Sequence, residues 1–334
     1  RFDPRSMPYR SLCEFLTKQA HLLESAAVLL RSTVANARER RNDDQLSHPL
    51  PTELLYLIFT YLISDRALEC NTDLVHASHV CRRWRTAALG NSSLWTLFDV
   101  NGSRRMHDKA QAFMERSGDK LIDVYCSRGP RRISVPPILE GLLPVSKKSH
   151  LILSLIINRR DELMAPLFLQ SIWAEGFASH LRTLHILGSE NIPERHGDPF
   201  ASIAVNGLRM FEENISGDPR WTPTPLLRSL RLHGFHLHWN SPAYRNLTEL
   251  ELRIPDVEPP SQRQLLRILK ACPDLRRLDL RLSGIAGPFV AAAHRVWDVS
   301  LPNLDTLSLN MPPPASIATV LEHLILPPTT RYSL

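Results

Sequence analysis

Apolar residues recur at three- and four-residue steps along the first part of the chain. Between Leu12 and Arg41 no proline or glycine interrupts this pattern, and a mostly basic run from Arg38 to Arg41 ends it. The spacing predicts one amphipathic helix with a broad apolar stripe, because residues three and four positions apart share a helix face. Two interpretations of the stripe stay open. The helix packs onto its own protein, which the breadth of the stripe favours, or it forms a coil with a partner or a second copy.

A second and shorter apolar segment follows a polar linker at residues 42–49. It begins with Pro51 and Glu53, two residue types that suit the first turn of a helix. The helical period places five apolar residues on one face, namely Leu54, Leu55, Ile58, Phe59 and Leu62, while Leu57 and Tyr61 fall toward another. Because so much of its surface is apolar, we expect this helix to be covered on two sides, by its own domain and by something else.

The next segments continue the helical pattern and then change to a strand. A helix is predicted through Leu74 and Arg85, with Asn71 or Thr72 as its N-cap and Gly90 as its C-terminal stop. The dipeptide Leu94-Trp95 follows, and residues 97–100 have the alternation of a strand.

The remainder of the chain contains an internal repeat of the form Leu-x-x-Leu-x-Leu. Its five copies begin at residues 181, 227, 247, 275 and 304, and the last three intervals are 20, 28 and 29 residues. These intervals are typical of leucine-rich repeats, whose stacked units bury apolar faces that no single unit covers. Residues 264–272 predict a helix before one strand, and residues 121–125 and 151–157 predict further strands. An ordinary α/β domain with chance leucine strings is the alternative.

Composition and charge narrow the function without identifying it. The chain has 334 residues, of which 43% are apolar and 22% are charged, so it is expected to have a folded core and no membrane span. Five scattered cysteines exclude a disulfide framework and favour a reducing location, cytoplasmic and/or nuclear. Phosphate-loop, metal-ligand and catalytic motifs are missing, so we predict no catalytic residue, no cofactor and no metal, even at the histidine pairs 76/79 and 236/238.

Three short motifs carry a family resemblance. The segments Leu50-Pro-x-Glu-Leu-Leu-x-x-Ile-Phe-x-Tyr-Leu62, Val80-Cys-Arg-x-Trp-Arg85 and Leu94-Trp95 together resemble an F-box. The F-box is the small helical module by which substrate receptors bind the Skp adaptor of cullin-based ubiquitin ligases. The link at residues 63–71 is longer than usual. With its repeats, the whole chain resembles the F-box proteins with a leucine-rich-repeat receptor region that are abundant in fungi.

The resemblance implies a domain layout and a fold class of α plus α/β. An N-terminal helix and linker would occupy residues 1–46, a helical F-box domain residues 47–100, and an irregular leucine-rich-repeat α/β solenoid residues 101–334. The resemblance assigns adaptor binding to Leu50, Pro51, Leu54, Leu55, Ile58, Phe59 and Leu62, with support from Val80, Cys81, Trp84, Leu94 and Trp95. Whether each of these residues contacts the adaptor or forms the core of the domain is left open.

The repeat also predicts a binding face for a target protein. Alternation along a strand turns the fourth and sixth positions inward and the third, fifth and seventh outward. The outward candidates are Thr183, His185, Ser229, Arg231, His233, Glu249, Glu251, Arg253, Arg277, Asp279, Arg281, Thr306 and Ser308. Strand spacing predicts that Glu249 faces Arg277 and that Arg231 faces Glu251.

The mixed charge of this face indicates a polar protein partner and makes nucleic acid unlikely, and the net charge of +6 favours nucleic acid only slightly. In the seventh-position row, His233, Arg253 and Arg281 suit a small anion such as a phosphorylated target, although a self-paired surface is the expected state.

The resulting hypothesis is a non-catalytic substrate-recognition subunit of a Skp–cullin–F-box ligase. Its expected partners are a Skp-type adaptor, through it a cullin-RING ligase, and an unknown protein substrate. A scaffold protein that binds the adaptor without ubiquitin transfer is the first alternative, and a nucleic-acid binder is the second. A receptor of this kind acts by holding its target near the ubiquitin carrier, which raises the effective concentration of the target.

Overall fold

The computed structural model describes most of the chain, in ten segments: residues 9–45, 50–64, 72–100, 106–126, 144–158, 179–187, 226–234, 237–254, 259–286 and 298–333. The N-cap candidate Asn71 and His236 of the histidine pair lie outside these segments, as does Cys70, one of the five cysteines. The chain divides into two compact units. The first comprises Arg1–Thr60 and Val75–Gly90, and the second comprises Tyr61–Leu74 and Asn91–Leu334.

The first long apolar pattern forms a single helix, α1, at Tyr9–Gln45. Its apolar stripe is exposed to solvent: Leu23, Leu29 and Leu30 are each between 65% and 70% exposed. The favoured interpretation, that the helix packs onto its own protein, is therefore wrong for the described side chains. Nothing within the described chain covers the stripe.

Three helices follow: α2 at Thr52–Ser64, α3 at Thr72–Ala77 and α4 at Arg82–Gly90. The prediction of one continuous helix through Leu74 and Arg85 is wrong, because residues 78–80 form a turn between α3 and α4. In this turn the amides of His79 and Val80 donate to carbonyls three residues back. The Ser78 hydroxyl also donates to the Val75 carbonyl at 2.7 Å.

The second unit contains a mixed α/β region built on a parallel sheet. Its helices are α5 at Met106–Ser117, α6 at Gln262–Lys270 and α7 at Pro314–Leu321. The strands are β1 (Leu97–Asp99), β2 (Ile122–Cys126), β3 (Ile152–Asn158), β4 (Thr183–Leu187), β5 (Ser229–His233), β6 (Glu249–Ile254), β7 (Arg277–Leu282), β8 (Val299–Ser300), β9 (Thr306–Asn310), β10 (Leu324–Ile325) and β11 (Arg331–Ser333). The strands predicted at residues 121–125 and 151–157 are β2 and β3.

Within the described segments, nine strands form one sheet in the order β1-β2-β3-β4-β5-β6-β7-β9-β11, and every pairing between them is parallel. The spatial order of β1 to β7 follows their order along the chain. The separate pair β8 and β10 is also parallel. Parallel neighbours need a connection that returns to the same end of the sheet, and α6 supplies one between β6 and β7.

The repeat leucines align across this sheet and form its interior. The fourth-position residues Leu184, Leu230, Leu250, Leu278 and Leu307 are register neighbours, and so are the sixth-position residues Ile186, Leu232, Leu252, Leu280 and Leu309. All ten are buried. Because side chains alternate across a strand, this inward row fixes which residues lie on the outward side.

Helix α6 shows how the sequence sets one of the connecting elements. Ser261 and Gln264 form a reciprocal capping box at its start, in which each side chain accepts a hydrogen bond from the other residue's amide. Its apolar face, including Leu265, Leu266 and Leu269, is buried. Among the described helices of both units, none combines the length and the apolarity needed to cross a bilayer.

Candidate functional site

Helix α2 separates its apolar residues into an inward and an outward set. Leu55 and Phe59, one turn apart, are 1% and 0% exposed. The Phe59 ring lies edge-on to Trp84 of α4, with ring centroids 5.5 Å apart. The Arg83 guanidinium donates a hydrogen bond to the Leu50 carbonyl just before α2. These contacts join α2 and α4 and direct one side of α2 into the interior.

The outward set forms what we call the apolar patch: Leu50, Leu54, Leu57 and Ile58. These four side chains are between 37% and 55% exposed. Leu54 lies four positions after Leu50, three before Leu57 and four before Ile58, so the four side chains lie along one side of the segment. An exposed row of large aliphatic side chains on a short helix is typical of a protein–protein contact.

The structure divides the twelve residues assigned to adaptor binding. The exposed ones are Leu50, Pro51, Leu54, Ile58 and Val80, the half-buried ones are Leu62, Cys81 and Trp84, and the buried ones are Leu55, Phe59, Leu94 and Trp95. The four buried side chains are part of the interior, which is one of the two roles left open for them. Conversely, Leu57 and Tyr61 are 55% and 72% exposed but were not assigned. Their position on the other face of the helical pattern was the signal for them.

The packing around Trp95 shows how one of these four side chains is buried. Its indole packs edge-on against Phe113 of α5 at 4.9 Å between ring centroids. The Arg116 guanidinium of the same helix lies 4.3 Å from the indole ring. This aromatic contact and the cation–π contact hold Trp95 within the second unit.

The second candidate surface is the outward side of the parallel sheet. The pairing register places the predicted residues in three continuous rows. The third-position row is Thr183, Ser229, Glu249, Arg277 and Thr306, the fifth-position row is His185, Arg231, Glu251, Asp279 and Ser308, and the seventh-position row is Leu187, His233, Arg253, Arg281 and Asn310. The structure therefore brings all thirteen predicted residues of the substrate face together on β4, β5, β6, β7 and β9.

Two carboxylates at the centre of this surface pair with its basic side chains. Glu251 accepts from His233 Nε2 at 2.9 Å and pairs with Arg253 Nη2 at 2.8 Å and with Arg231 Nε at 3.5 Å. Asp279 pairs with Arg253 at 3.3 Å and with Arg281 at 3.8 Å. The Glu251 and Asp279 side chains are only 5% and 8% exposed, so the carboxylates lie beneath the guanidinium groups.

A second cluster adjoins the first on β4 to β6. The Ser229 hydroxyl donates to Glu249 at 2.9 Å and lies 2.9 Å from His185 Nε2. Arg231 also donates to Glu249, at 3.2 Å. The register does make Glu249 a neighbour of Arg277, as predicted, and Arg231 a neighbour of Glu251. The Glu249 carboxylate pairs with Arg231 on the other neighbouring strand, because that guanidinium reaches both acids.

The clusters shift the titration of their members. The hydrogen bond from His233, with the nearby Arg253, lowers the pKa of Glu251 to about 2. Burial, with the nearby Arg231, lowers the pKa of His185 to about 4. Burial alone would raise the pKa of Glu249, but the Ser229 hydrogen bond and Arg231 lower it overall. Near neutral pH the two acids are therefore charged and His185 is neutral.

These contacts bear on the anion site considered for His233, Arg253 and Arg281. Glu251 engages the first two, and the His233 side chain is only 12% exposed. The row is thus largely self-paired, which was the expected state. In the described part of the chain, no group of three histidine, cysteine or acidic side chains is placed to hold a metal ion.

A family comparison identifies the helical part. The model of the F-box-like family matches residues 49–100, the segment that contains α2, α3 and α4. No curated relative matches the chain. Residues 49–100 are therefore an F-box-like domain, which supports an F-box protein and indicates an adaptor role in protein interaction. F-box domains typically bind Skp-type adaptors.

Proposed function

We propose that the protein is the substrate-recognition subunit of a Skp–cullin–F-box ubiquitin ligase. Its F-box-like domain would bind a Skp-type adaptor and, through the adaptor, a cullin-RING ligase. The outward side of its sheet would bind the target protein. The observation that carries this proposal is the apolar patch on α2, which lies within the matched segment and is left uncovered by the described chain.

The C-terminal part is proposed to be an irregular leucine-rich-repeat solenoid. Each of the five Leu-x-x-Leu-x-Leu copies supplies one strand, and the five strands are consecutive neighbours in one parallel sheet. Their leucines stack in register and are buried. Stacked units that share one continuous core are the defining feature of such repeats.

The proposed role requires no catalytic group from this chain. A receptor of this class binds two proteins and thereby holds the target close to the charged ubiquitin carrier. Converting a bimolecular encounter into a local one lowers the entropic part of the barrier. The two surfaces on the chain, one apolar and one charged, suit two different partners.

Adaptor pull-down with a matched pair of variants tests the proposal. Ile58→Asp places a charge in the apolar patch, and Thr60→Asp places the same charge on the same helix outside it. Burying an unpaired carboxylate in an apolar contact costs enough to weaken binding about a hundredfold or more. We expect Ile58→Asp to lose the adaptor and Thr60→Asp to keep it.

Retention of the adaptor by Ile58→Asp contradicts the assignment of the apolar patch. Circular dichroism of both variants checks that α2 stays folded. Ubiquitin transfer in a ligase reconstituted with the full chain tests the second half of the proposal. A chain that binds the adaptor and never supports transfer to any bound protein would be a scaffold instead.

A further inference from the structure

The outward side of the sheet changes its exposed charge from one end to the other. On β4 to β6 the Glu249 carboxylate is 38% exposed, and Arg231 beside it is 29% exposed. On β7 only the basic side chains are exposed, and the acidic one is buried. Arg277 and Arg281 are exposed, while Asp279 between them is 8% exposed. An approaching molecule therefore meets acid and base on β4 to β6 but guanidinium groups on β7.

The strands beyond β7 extend this cationic surface. On β9 the outward residues are Thr306, Ser308 and Asn310, which carry hydroxyl and amide groups. On β11 the register partner of Thr306 is Arg331, which is exposed. We call the outward residues of β7, β9 and β11 the cationic face. Its acid is Asp279, which pairs with Arg253 and Arg281 and lies beneath them.

The geometry of the cationic face suits an extended chain. Arg277 and Arg281 are four residues apart on the same side of one strand, about 13 Å, and Arg331 lies two strands from Arg277, about 10 Å. These distances separate the backbone positions of the three arginines, so their guanidinium groups can together reach several acidic groups along one extended polypeptide. Hydroxyl and amide groups between them can donate to the same acidic groups.

We infer that the cationic face binds an acidic segment of the target protein, with carboxylate or phosphate groups meeting Arg277, Arg281 and Arg331. The inference rests on the proposed function, since it names the chemistry of the target that the sheet receives. It also places the anion contact away from His233 on β5 and Arg253 on β6, whose side chains Glu251 already engages.

The test uses the full chain and three synthetic peptides of one length: a glutamate-rich peptide, its glutamine counterpart and its phosphoserine counterpart. Binding is followed by fluorescence anisotropy at low and high salt. We expect the glutamate peptide to bind and the glutamine peptide not to bind. The affinity should fall as salt rises, because exposed charges are screened. The phosphoserine peptide identifies the preferred anion: tighter binding indicates phosphate, and equal binding indicates that a carboxylate suffices.

Two variants and one control locate the site. Arg277→Gln and Arg281→Gln should each weaken the glutamate peptide about tenfold, the effect of one charge-assisted hydrogen bond. Arg276→Gln, which removes another exposed arginine next to the strand, should leave the affinity within about twofold. An equal loss in all three variants, or equal binding of the glutamine peptide, overturns the inference.

Adaptor pull-down of the same preparations separates this inference from the proposed function. A chain that keeps the adaptor and binds neither acidic peptide contradicts the acidic-target inference alone. A chain that binds the acidic peptides through Arg277 and Arg281 and fails to bind the adaptor contradicts the ligase proposal alone.

Discussion

Helix α2 and the parallel sheet differ in how many of their apolar side chains they bury. In α2, Leu55 and Phe59 enter the interior while Leu54 and Ile58 stay outside. In the sheet, the leucines are buried and the outward positions hold charged or polar side chains. The helix is therefore apolar on both sides, whereas the sheet is apolar on one.

This difference separates two kinds of surface. No group within the described chain covers the apolar patch of α2. The free energy of burying this patch is therefore gained only when a second protein covers it. The charges at the centre of the sheet satisfy one another, as Glu251 does with His233, Arg231 and Arg253. A partner that binds the sheet is left with the edge of this surface, where the charges are less fully paired. An uncovered apolar face provides affinity, and a partly compensated charged face provides selectivity.

The inward side of α2 provides the largest expected effect on stability. Phe59→Ala removes a ring that is 0% exposed and that packs against Trp84. A cavity of this kind costs about 3–5 kcal/mol, so the first unit should be destabilised by this order. Hydrogen exchange should show faster exchange in α2 and α4 and unchanged exchange in β6 and β7.

Leu57→Ala is the matched control on the same helix. Leu57 is 55% exposed, so its truncation should change stability by no more than about 0.5 kcal/mol. Equal destabilisation by the two variants would contradict the separation of α2 into an inward and an outward side.

The centre of the sheet should respond strongly to loss of one carboxylate. Glu251→Gln keeps the shape of the side chain but removes the charge that Arg231, Arg253 and the His233 ring share. Breaking a buried ion pair costs about 3–5 kcal/mol, and the partial exposure of the arginines reduces this to about 2 kcal/mol. Urea unfolding of the parent and the variant measures the difference.

Glu322→Gln is the corresponding control, because it makes the same change at an exposed position after α7. Its unfolding midpoint should match that of the parent chain. If Glu251→Gln also matches the parent, the charge network does not stabilise the sheet.

The sheet was more predictable from the sequence than the helical domain. The Leu-x-x-Leu-x-Leu spacing placed β4, β5, β6, β7 and β9 and assigned their inward and outward residues, because strand alternation has a fixed period of two. In α2 the helical period does not show which apolar residues face inward and which face outward. Leu54 and Leu55 are the same residue type in adjacent positions, and only packing against residues distant in the sequence, such as that of Phe59 against Trp84, separates the buried side from the exposed one.

Two other features also depend on contacts distant in the sequence. The turn between α3 and α4 contains neither proline nor glycine, so the local sequence did not predict a turn there. The burial of Trp95 depends on Phe113, in a helix that the repeat pattern did not indicate. The pairing of Glu249 with Arg231 in place of Arg277 was equally hidden, because a long side chain reaches either neighbouring strand.

Acidification gives the smallest expected effect and separates the two clusters of the sheet. The pKa of His185 is lowered from 6.5 to about 4 by burial and by Arg231, so between these values the unfolded chain binds more protons than the folded one. Stability should therefore fall as the pH drops below 6.5, by on the order of 1 kcal/mol after solvent screening. The pKa of Glu251 is lowered from 4.5 to about 2, so its contribution is lost only below pH 4.5.

His185→Gln keeps a partner for Ser229 and removes the titration. Urea midpoints at about pH 7 and about pH 5 should converge in this variant, whereas the exposed control His238→Gln should retain the difference of the parent. Both variants should still lose stability as Glu251 is protonated, because that acid titrates in a lower range. If His185→Gln keeps the full difference between the two pH values, the acid sensitivity arises elsewhere. In that case the desolvation of His185 on the sheet contributes nothing to it.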